Sequence, residues 1–388
     1  MILYKKIITC LLLLIFILFG IYQGTLSLKK EKEIISRKQS LSLINQLLNT
    51  VNIGFSQVDV PWQFLFPRDH GAHSSYQNES WNFAGNLRSD QRRDFGFQFN
   101  FFRMGLKSPD SSQSTSLWRF QELYRGYFGL ADILKSQFYP IERFSRTALG
   151  LSGASSTNNS IKVWLEDWRF QVLSEEEAKS SFSLFAKTEN ASIDLILQPL
   201  KLPFYFGGDS QASLGNFYAY TLPRLMTKGT IKIKHSSYPV TGLSWFDHSW
   251  GKIPIPTGST VWDRFLLQLD NGVDLLVLRL HRIDGTGTPI NNGTLVTSQG
   301  EIETLTREDI ALNPLSNWKS PNTHISYPTH WQLQIPEHDI DLNITPSIEN
   351  QELNLSLDYW SGSVTVTGYY QGNNVIGKGF QELTGYQP

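Results

Sequence analysis

From Phe55 onward, apolar residues recur at every second position. Phe95, Phe97, Phe99 and Phe101 point one way, with Gly96, Gln98 and Asn100 the other. Ile161, Val163 and Leu165 repeat the pattern, as do Phe182, Leu184 and Ala186, then Ile193, Leu195 and Leu197. The second half does the same at Ile231 and Ile233, Leu267 and Leu269, Leu276, Leu278 and Leu280, Trp331, Leu333 and Ile335, and Ile340, Leu342 and Ile344. Period-two alternation marks half-buried β-strands. Turn-forming residues punctuate them at Asp270-Asn271-Gly272, Gln299-Gly300 and Gly372-Asn373-Asn374. Many short strands at regular spacing predict a mostly β sandwich or barrel architecture. The strand count fits two tandem antiparallel β-barrels better than one large sheet. The join is expected between Pro223 and Gly242, dividing the body into 55–228 and 229–388. Leu117 to Gln137 reads as a helix, weakened by Gly126 and Gly129, and the residues show no internal repeat.

Upstream of the strands the pattern changes. Lys5 and Lys6 precede an almost wholly apolar run, Ile7 to Ile21. That run is shorter than the roughly 20 residues a membrane span needs, and suits the core of an export signal. Residues 1–28 are therefore expected to be a signal peptide or a membrane anchor. Either way the positive charge ahead of the run places the body outside the cytoplasm. It would be periplasmic, or anchored to the inner membrane and facing the periplasm. Leu28 to Thr50 has amphipathic spacing, predicting a linker helix over 29–54.

Composition narrows the function classes. An apolar content of 40% and an aromatic content of 13% suffice for two cores. The formal charge is −1 and no Lys/Arg run is present, which argues against a nucleic-acid partner. The lone cysteine, Cys10, lies in the N-terminal apolar run, so the body has no disulfide and no cysteine-based metal site. Gly372 to Gly379 imitates a phosphate-binding loop, but Gly379 stands where Ser or Thr must hold magnesium. No G-x-S-x-G elbow and no H-E-x-x-H pair occurs, and no cofactor is expected.

Candidate chemistry concentrates in Gly242 to Asp263, a segment that reads as loop-rich and holds three tryptophans, two aspartates and one histidine. Asp247, His248, Trp250 and Asp263 are the candidate catalytic residues. A carboxylate beside a histidine can serve as a tuned acid–base pair. Tryptophan faces can stabilise a cation. The alternative is a hydrogen-bonded lock between the barrels, with Arg68, Arg103 or Arg264 as partners; on residues alone it is the simpler reading. Asp69, His70, His73 and Glu79 could supply metal ligands on paper. Without cysteine or a second tight pair the structural reading holds, and no metal is expected.

Several ordered blocks carry a resemblance. They include FPRDHGAH (Phe66 to His73), the E-x-W of Glu79 to Trp81, GNLRSD (Gly85 to Asp90) and FGFQFNFFR (Phe95 to Arg103). ERFSRTALGLSG (Glu142 to Gly153), WFDHSWG (Trp245 to Gly251), YWSG (Tyr359 to Gly362) and ELTGY (Glu382 to Tyr386) follow. Together they resemble the AttH and carotenoid 1,2-hydratase (hydroxyneurosporene synthase) family of tandem lipocalin-like proteins. The resemblance implies two lipocalin-like barrels and a relation to enzymes acting on long apolar polyenes. It implies a site with His248 and Trp250, and with Asp247 or Asp263 as the acid. Asp69, His70, His73, Glu79, Trp81, Arg103, Trp245 and Trp262 would form a ligand-binding or inter-domain network.

The chain departs from the family pattern at a few positions. Glu79-Ser80-Trp81-Asn82 stands for E-W-W-Y, and Ser249 replaces the acid of D-H-E-W. Trp262-Asp263-Arg264 stands for W-D-W, and Ser361 replaces the glutamate of Y-W-E-G. Losing an acid or base commonly costs ~10²–10⁴ in rate. The expected function is therefore an exported protein that binds an apolar ligand, a lipid or isoprenoid, as an accessory to an envelope ABC-transport permease. The alternatives are a hydratase or isomerase acting on a terpenoid double bond, and a structural partner of a membrane transporter.

Overall fold

The computed structural model describes residues 54–58, 61–106, 121–157, 160–173, 180–207, 217–252 and 260–387. The expected export segment lies outside these residues. So does the linker helix, except for Gly54 in a turn. Among the described residues no helix is long and apolar enough to cross a membrane.

Strands dominate, as the alternation predicts. The first set is β1 (Asn78–Ser89), β2 (Asp94–Gly105), β3 (Glu122–Asp132), β4 (Gln137–Arg146), β5 (Ser152–Thr157) and β6 (Ser160–Leu165). It continues with β7 (Trp168–Val172), β8 (Phe182–Lys187), β9 (Ala191–Pro199), β10 (Phe204–Gly207), β11 (Phe217–Ile233) and β12 (Ser236–Gly251). The second set is β13 (Thr260–Leu269), β14 (Asp274–Arg282), β15 (Ile290–Val296), β16 (Ile302–Leu305) and β17 (Ala311–Lys319). It ends with β18 (Ser326–Ile335), β19 (Ile340–Pro346), β20 (Glu352–Asn354), β21 (Asp358–Tyr370) and β22 (Asn373–Thr384).

The first sheet runs β4-β3-β2-β1-β12-β11-β9-β8-β7-β6-β5, with β10 on β11. The second runs β16-β15-β14-β13-β22-β21-β19-β18-β17, with β20 on β21. In each sheet the two edge strands are neighbours in the chain, so the sheet curls back on itself as a barrel. Inward positions form the cores. Phe95, Phe97, Phe99 and Phe101 join Trp81, Phe83 and Phe246 in the first. Phe265, Leu267, Trp331 and Leu333 lie in the second. Each such side chain contributes about 1.5–3 kcal/mol of burial.

The two strand orders superimpose. β1 to β4 correspond to β13 to β16, β7 to β12 correspond to β17 to β22, and the short off-path strands β10 and β20 occupy the same place. A local repeat underlies this. Ile193-Asp194-Leu195 with Pro199 in β9 matches Ile340-Asp341-Leu342 with Pro346 in β19. Each strand then faces a glycine in the positive-φ region. A Cβ on Gly229 (φ +156) would lie 2.1 Å from the Asp194 carbonyl, and one on Gly368 (φ +157) would lie 2.0 Å from that of Asp341. The two sheets repeat one strand order, of which the sequence keeps this short echo that alternation alone does not single out.

Three expectations need correction. β12 belongs to the first sheet, so the change of sheet comes after Gly251, not at 228/229. Gly242 to Gly251 is strand rather than loop. The predicted helix at 117–137 is β3 and a 3-10 turn over its described part, with Gly126 making room for the Trp168 ring.

The barrels meet through Ala84, Phe204, Trp245, Leu266, Leu276, Val296 and Phe380. Polar bonds flank this apolar seam. Gln98 donates to the Ser361 carbonyl at 2.9 Å and accepts from the Ser361 hydroxyl at 2.6 Å. Lys201 reaches Asp274 at 2.8 Å, beside Arg224.

Candidate functional site

The chain ahead of β1 folds across the mouth of the first barrel. Trp62, Phe64 and Phe66 pack on its core, and a 3-10 turn, Arg68–His70, buries Asp69 and His70. β1 presents Glu79 inward, directly across from Arg103 on β2 and Trp250 on β12. One residue pair further along, Trp81 faces His248. Asp69, Glu79, Trp81, His248 and Trp250 have no exposed surface.

Glu79 organises this cluster. Its carboxylate accepts from the His73 amide at 2.9 Å, His73 Nδ1 at 2.8 Å, His248 Nε2 at 3.0 Å and Arg103 Nε at 3.0 Å. Burial pushes the Glu79 carboxyl up, but Arg103, His248 and His73 outweigh it and hold it well below the usual range. Arg103 is spread further, to Glu122 at 3.0 Å and to the carbonyls of His73 and Tyr76. Asp69 accepts from Arg68, the Leu65 amide at 2.8 Å and Trp62 Nε1 at 3.0 Å. Burial raises its carboxyl too, yet hydrogen bonds from His73 and Arg68 win and lower it.

The histidines divide. Burial disfavours charge on His73, but Asp69 and Glu79 on either side raise it above the ordinary imidazole. His70 has no carboxylate bond. Burial and the neighbouring His248 push it down to about 3, so it is neutral, with Nδ1 bonded to the Tyr220 hydroxyl at 2.6 Å. Burial also lowers His248, against the pull of Glu79. Its Nδ1 donates to the Asp69 carbonyl at 2.9 Å, so in the neutral form Nε2 would turn a lone pair on Glu79. Geometry opposes that form, and His248 and Glu79 hold one proton between them. Ring stacking fixes the orientations. His73 lies on Trp250 at 3.7 Å, and His248 on Trp81 at 4.9 Å.

His73, Glu79 and His248 are the residues among those described whose ligand atoms converge as a metal would need. Those atoms already satisfy one another as donors and acceptors, with Arg103 against the same carboxylate. The arrangement is complete as a charged hydrogen-bond network.

The sheet's alternation separates a second feature. Asp247 and Ser249 turn to the outer face of β12, where a cavity of about 470 Å³ opens between the two barrels. Asp247 accepts from Thr221 at 2.5 Å and pairs with Arg264, which also reaches Glu382 at 3.2 Å. Phe204, Tyr205, Phe217, Trp262, Leu276 and Leu278 supply apolar walls. His248 and Tyr220 border this cavity from strands whose side chains turn inward, and both are wholly buried.

Asp263 belongs to neither place. It points into the second barrel, where it accepts from Tyr386 at 2.8 Å, His281 at 3.1 Å and Arg279 at 3.2 Å. Asp263 faces Arg279 across β13 and β14, a carboxylate–arginine pairing of the same kind as Glu79 with Arg103 across β1 and β2. The positions along the strands differ, and the histidine here comes from β14.

The structure thus gathers Asp69, His70, His73, Glu79, Trp81, Arg103, His248 and Trp250, and places Asp247 and Trp262 at the cleft. Trp245 lies in the seam and Asp263 in the other barrel, so the four candidate catalytic residues do not form one site. The lock between barrels holds in one part and not in another: Asp247–Arg264 bridges the seam, whereas His248 and Trp250 lie inside the first barrel. Tyr220, Trp62, Arg279, His281 and Tyr386 were missed. Of these, Tyr386 stood in the ELTGY block, and the Tyr218/Tyr220 alternation was a signal for Tyr220. The departures from the family pattern at Ser80, Asn82, Ser249 and Arg264 converge on the cleft, whereas Ser361 lies against Gln98.

Comparisons with known proteins agree with the geometry. An AttH-type protein of Nitrosomonas europaea matches with a TM-score of 0.72 and 25% identity, covering 86% of this chain and 100% of that one. Kievitone hydratase of Nectria haematococca matches with a TM-score of 0.62 and 16% identity, over 85% and 96% of the two chains. CghA, solved with Sch210972, matches with a TM-score of 0.53 and 13% identity, over 80% and 88%. At these lower identities the likeness is one of fold. No curated protein matches. The AttH-like family model covers residues 57–386, and the chain belongs to the AttH-like family, with its tandem lipocalin-like barrels.

Proposed function

We propose that this protein binds an apolar small molecule, a lipid or isoprenoid, in the cleft between its barrels, and performs no chemistry on it through His248. The cleft itself carries the reading. Its volume of about 470 Å³ falls within the ~300–1,000 Å³ of small-molecule sites, with large apolar side chains on both walls and polar groups, mostly uncharged, between them. The histidine that a hydratase reading needs turns away from this space and is spent on Glu79 and the Asp69 carbonyl. Asp247, the carboxylate that does face it, is committed to Arg264 and Thr221. Export and association with an envelope permease belong to the same proposal. They rest on the N-terminal apolar run and on the family resemblance.

The test is native mass spectrometry of the purified protein, followed by solvent extraction. An apolar ligand should co-purify, survive His248→Gln, and be lost in Ala219→Trp, which fills the cleft from the outer face of β11. Conversion of an apolar polyene to a hydrated product, abolished by His248→Gln in a folded variant, would instead establish the hydratase.

A further inference from the structure

The uncharged polar groups of the cleft bear on what the ligand carries. On the first barrel the outer face forms a grid fixed by register. Ser80, Ser249 and Ala219 make one row, and Asn82, Asp247 and Thr221 the next. These side chains are small, and the hydrogen bonds among them leave capacity to spare. Ser80 and Ser249 share one bond at 2.9 Å, and Asn82 donates to Ser80 at 3.3 Å. Among the described residues Asn82 Oδ1 has no hydrogen-bond partner. The facing wall, from the second barrel, sets Leu276, Leu278 and Ile302 among the uncharged polar groups of Asn292, Thr294 and Thr304. A molecule lying between them meets uncharged hydroxyl and amide groups on both walls, set among apolar side chains.

The charges of the cleft are already matched. Among the described lining residues Arg264 carries the guanidinium, and it is shared between Asp247 and Glu382. A ligand carboxylate would compete with two protein carboxylates for one guanidinium. A ligand ammonium would find Asp247 already paired, with Arg264 beside it. Taking either charge out of water without a free partner is costly. A neutral hydroxyl or amide meets Ser80, Ser249 and Asn82 at no such penalty.

We infer that the cleft selects an uncharged amphipathic molecule, an apolar chain ending in a hydroxyl or amide, over the corresponding acid or amine. This rests on the cleft being the binding site. The space holds roughly fifteen water-sized groups at ~30 Å³ each, which suits a chain of a dozen carbons with its head group.

Isothermal titration calorimetry of the purified protein with 1-dodecanol, dodecanoate and dodecylamine at neutral pH tests it. Dodecanol should bind tighter than either ion by roughly ten-fold or more. The combined Ser249→Ala and Asn82→Leu substitutions should shrink that preference while dodecane binding persists. Tighter binding of dodecanoate or dodecylamine by the native protein overturns the inference and leaves apolar binding intact. If none of these probes binds, the binding reading falls, and the inference with it.

Discussion

Asp247 and His248 are adjacent in the chain and serve opposite faces of one sheet. Asp247 pairs with Arg264 of the second barrel, and His248 Nε2 lies 3.0 Å from Glu79 inside the first. A strand turns successive side chains to opposite faces, so this separation follows from the backbone. Asp247→Asn should alter ligand affinity in the cleft and cost little stability, because Arg264 keeps Glu382. His248→Gln should leave affinity unchanged and cost about 1–3 kcal/mol, the penalty of a disturbed buried hydrogen bond. Urea denaturation and calorimetric titration of both variants decide it. The reverse pattern would show that His248 reaches the ligand.

Glu79 and Arg103 are both buried, and each holds further partners through its second set of atoms. Removing one charge strands the other, which typically costs about 3–5 kcal/mol. Glu79→Gln is therefore expected to lower urea stability by that amount. Paired with Arg103→Met, the loss should be smaller than the sum of the two single losses, since neither charge is then left alone. Additive losses would mean that the two groups do not depend on each other.

His70 gives the fold an acid sensitivity of its own. Its folded value of about 3 lies below the ordinary 6.5. Between those limits the unfolded chain binds more protons, so stability is present above 6.5 and is lost as pH falls. From pH 6.5 to 4 the expected loss is about 3 kcal/mol. Asp69 and Glu79, both held low, add their own losses only as pH drops below the ordinary carboxylate range. His70→Asn keeps a polar atom near Tyr220 and cannot titrate, so its stability should fall clearly less than that of the native protein from pH 6.5 to 4.5, with His248, also lowered by burial, carrying what remains. A slope equal to that of the native protein would assign the effect elsewhere.

The sequence was most legible where one face of a strand meets the core and the other meets water. In β9 and β19 every second residue is buried, and the alternation reads directly. It was least legible where both faces are covered. β3 is buried at nearly every position beyond Gly126, which erases period two and lets helical spacing show through. β12 runs through the same difficulty. Trp245 packs in the seam and Phe246 in the first core, so apolar residues adjoin and the stretch reads as an irregular loop. The charged cluster was visible as residue types, because His70, His73, Glu79 and His248 stand in recognisable blocks. Their division between a barrel interior and a cleft was hidden, since it depends on the parity of β12, which an assignment to loop cannot supply.

The carboxylate–arginine cluster of the second barrel offers an internal control. Asp263 is as buried as Glu79, and its arginine likewise stands directly across the neighbouring strand. Its surroundings differ. The Arg279 and His281 side chains keep 17% and 15% of their surface exposed, against 1% for Arg103. When the carboxylate is removed, water can reach the partners of Asp263 and cannot reach those of Glu79. Asp263→Asn should therefore cost about 1–3 kcal/mol, clearly less than Glu79→Gln. The same urea measurement on both variants, with an unchanged denaturant slope, compares them directly. Equal losses would show that solvent access at the second mouth does not relieve the stranded charges.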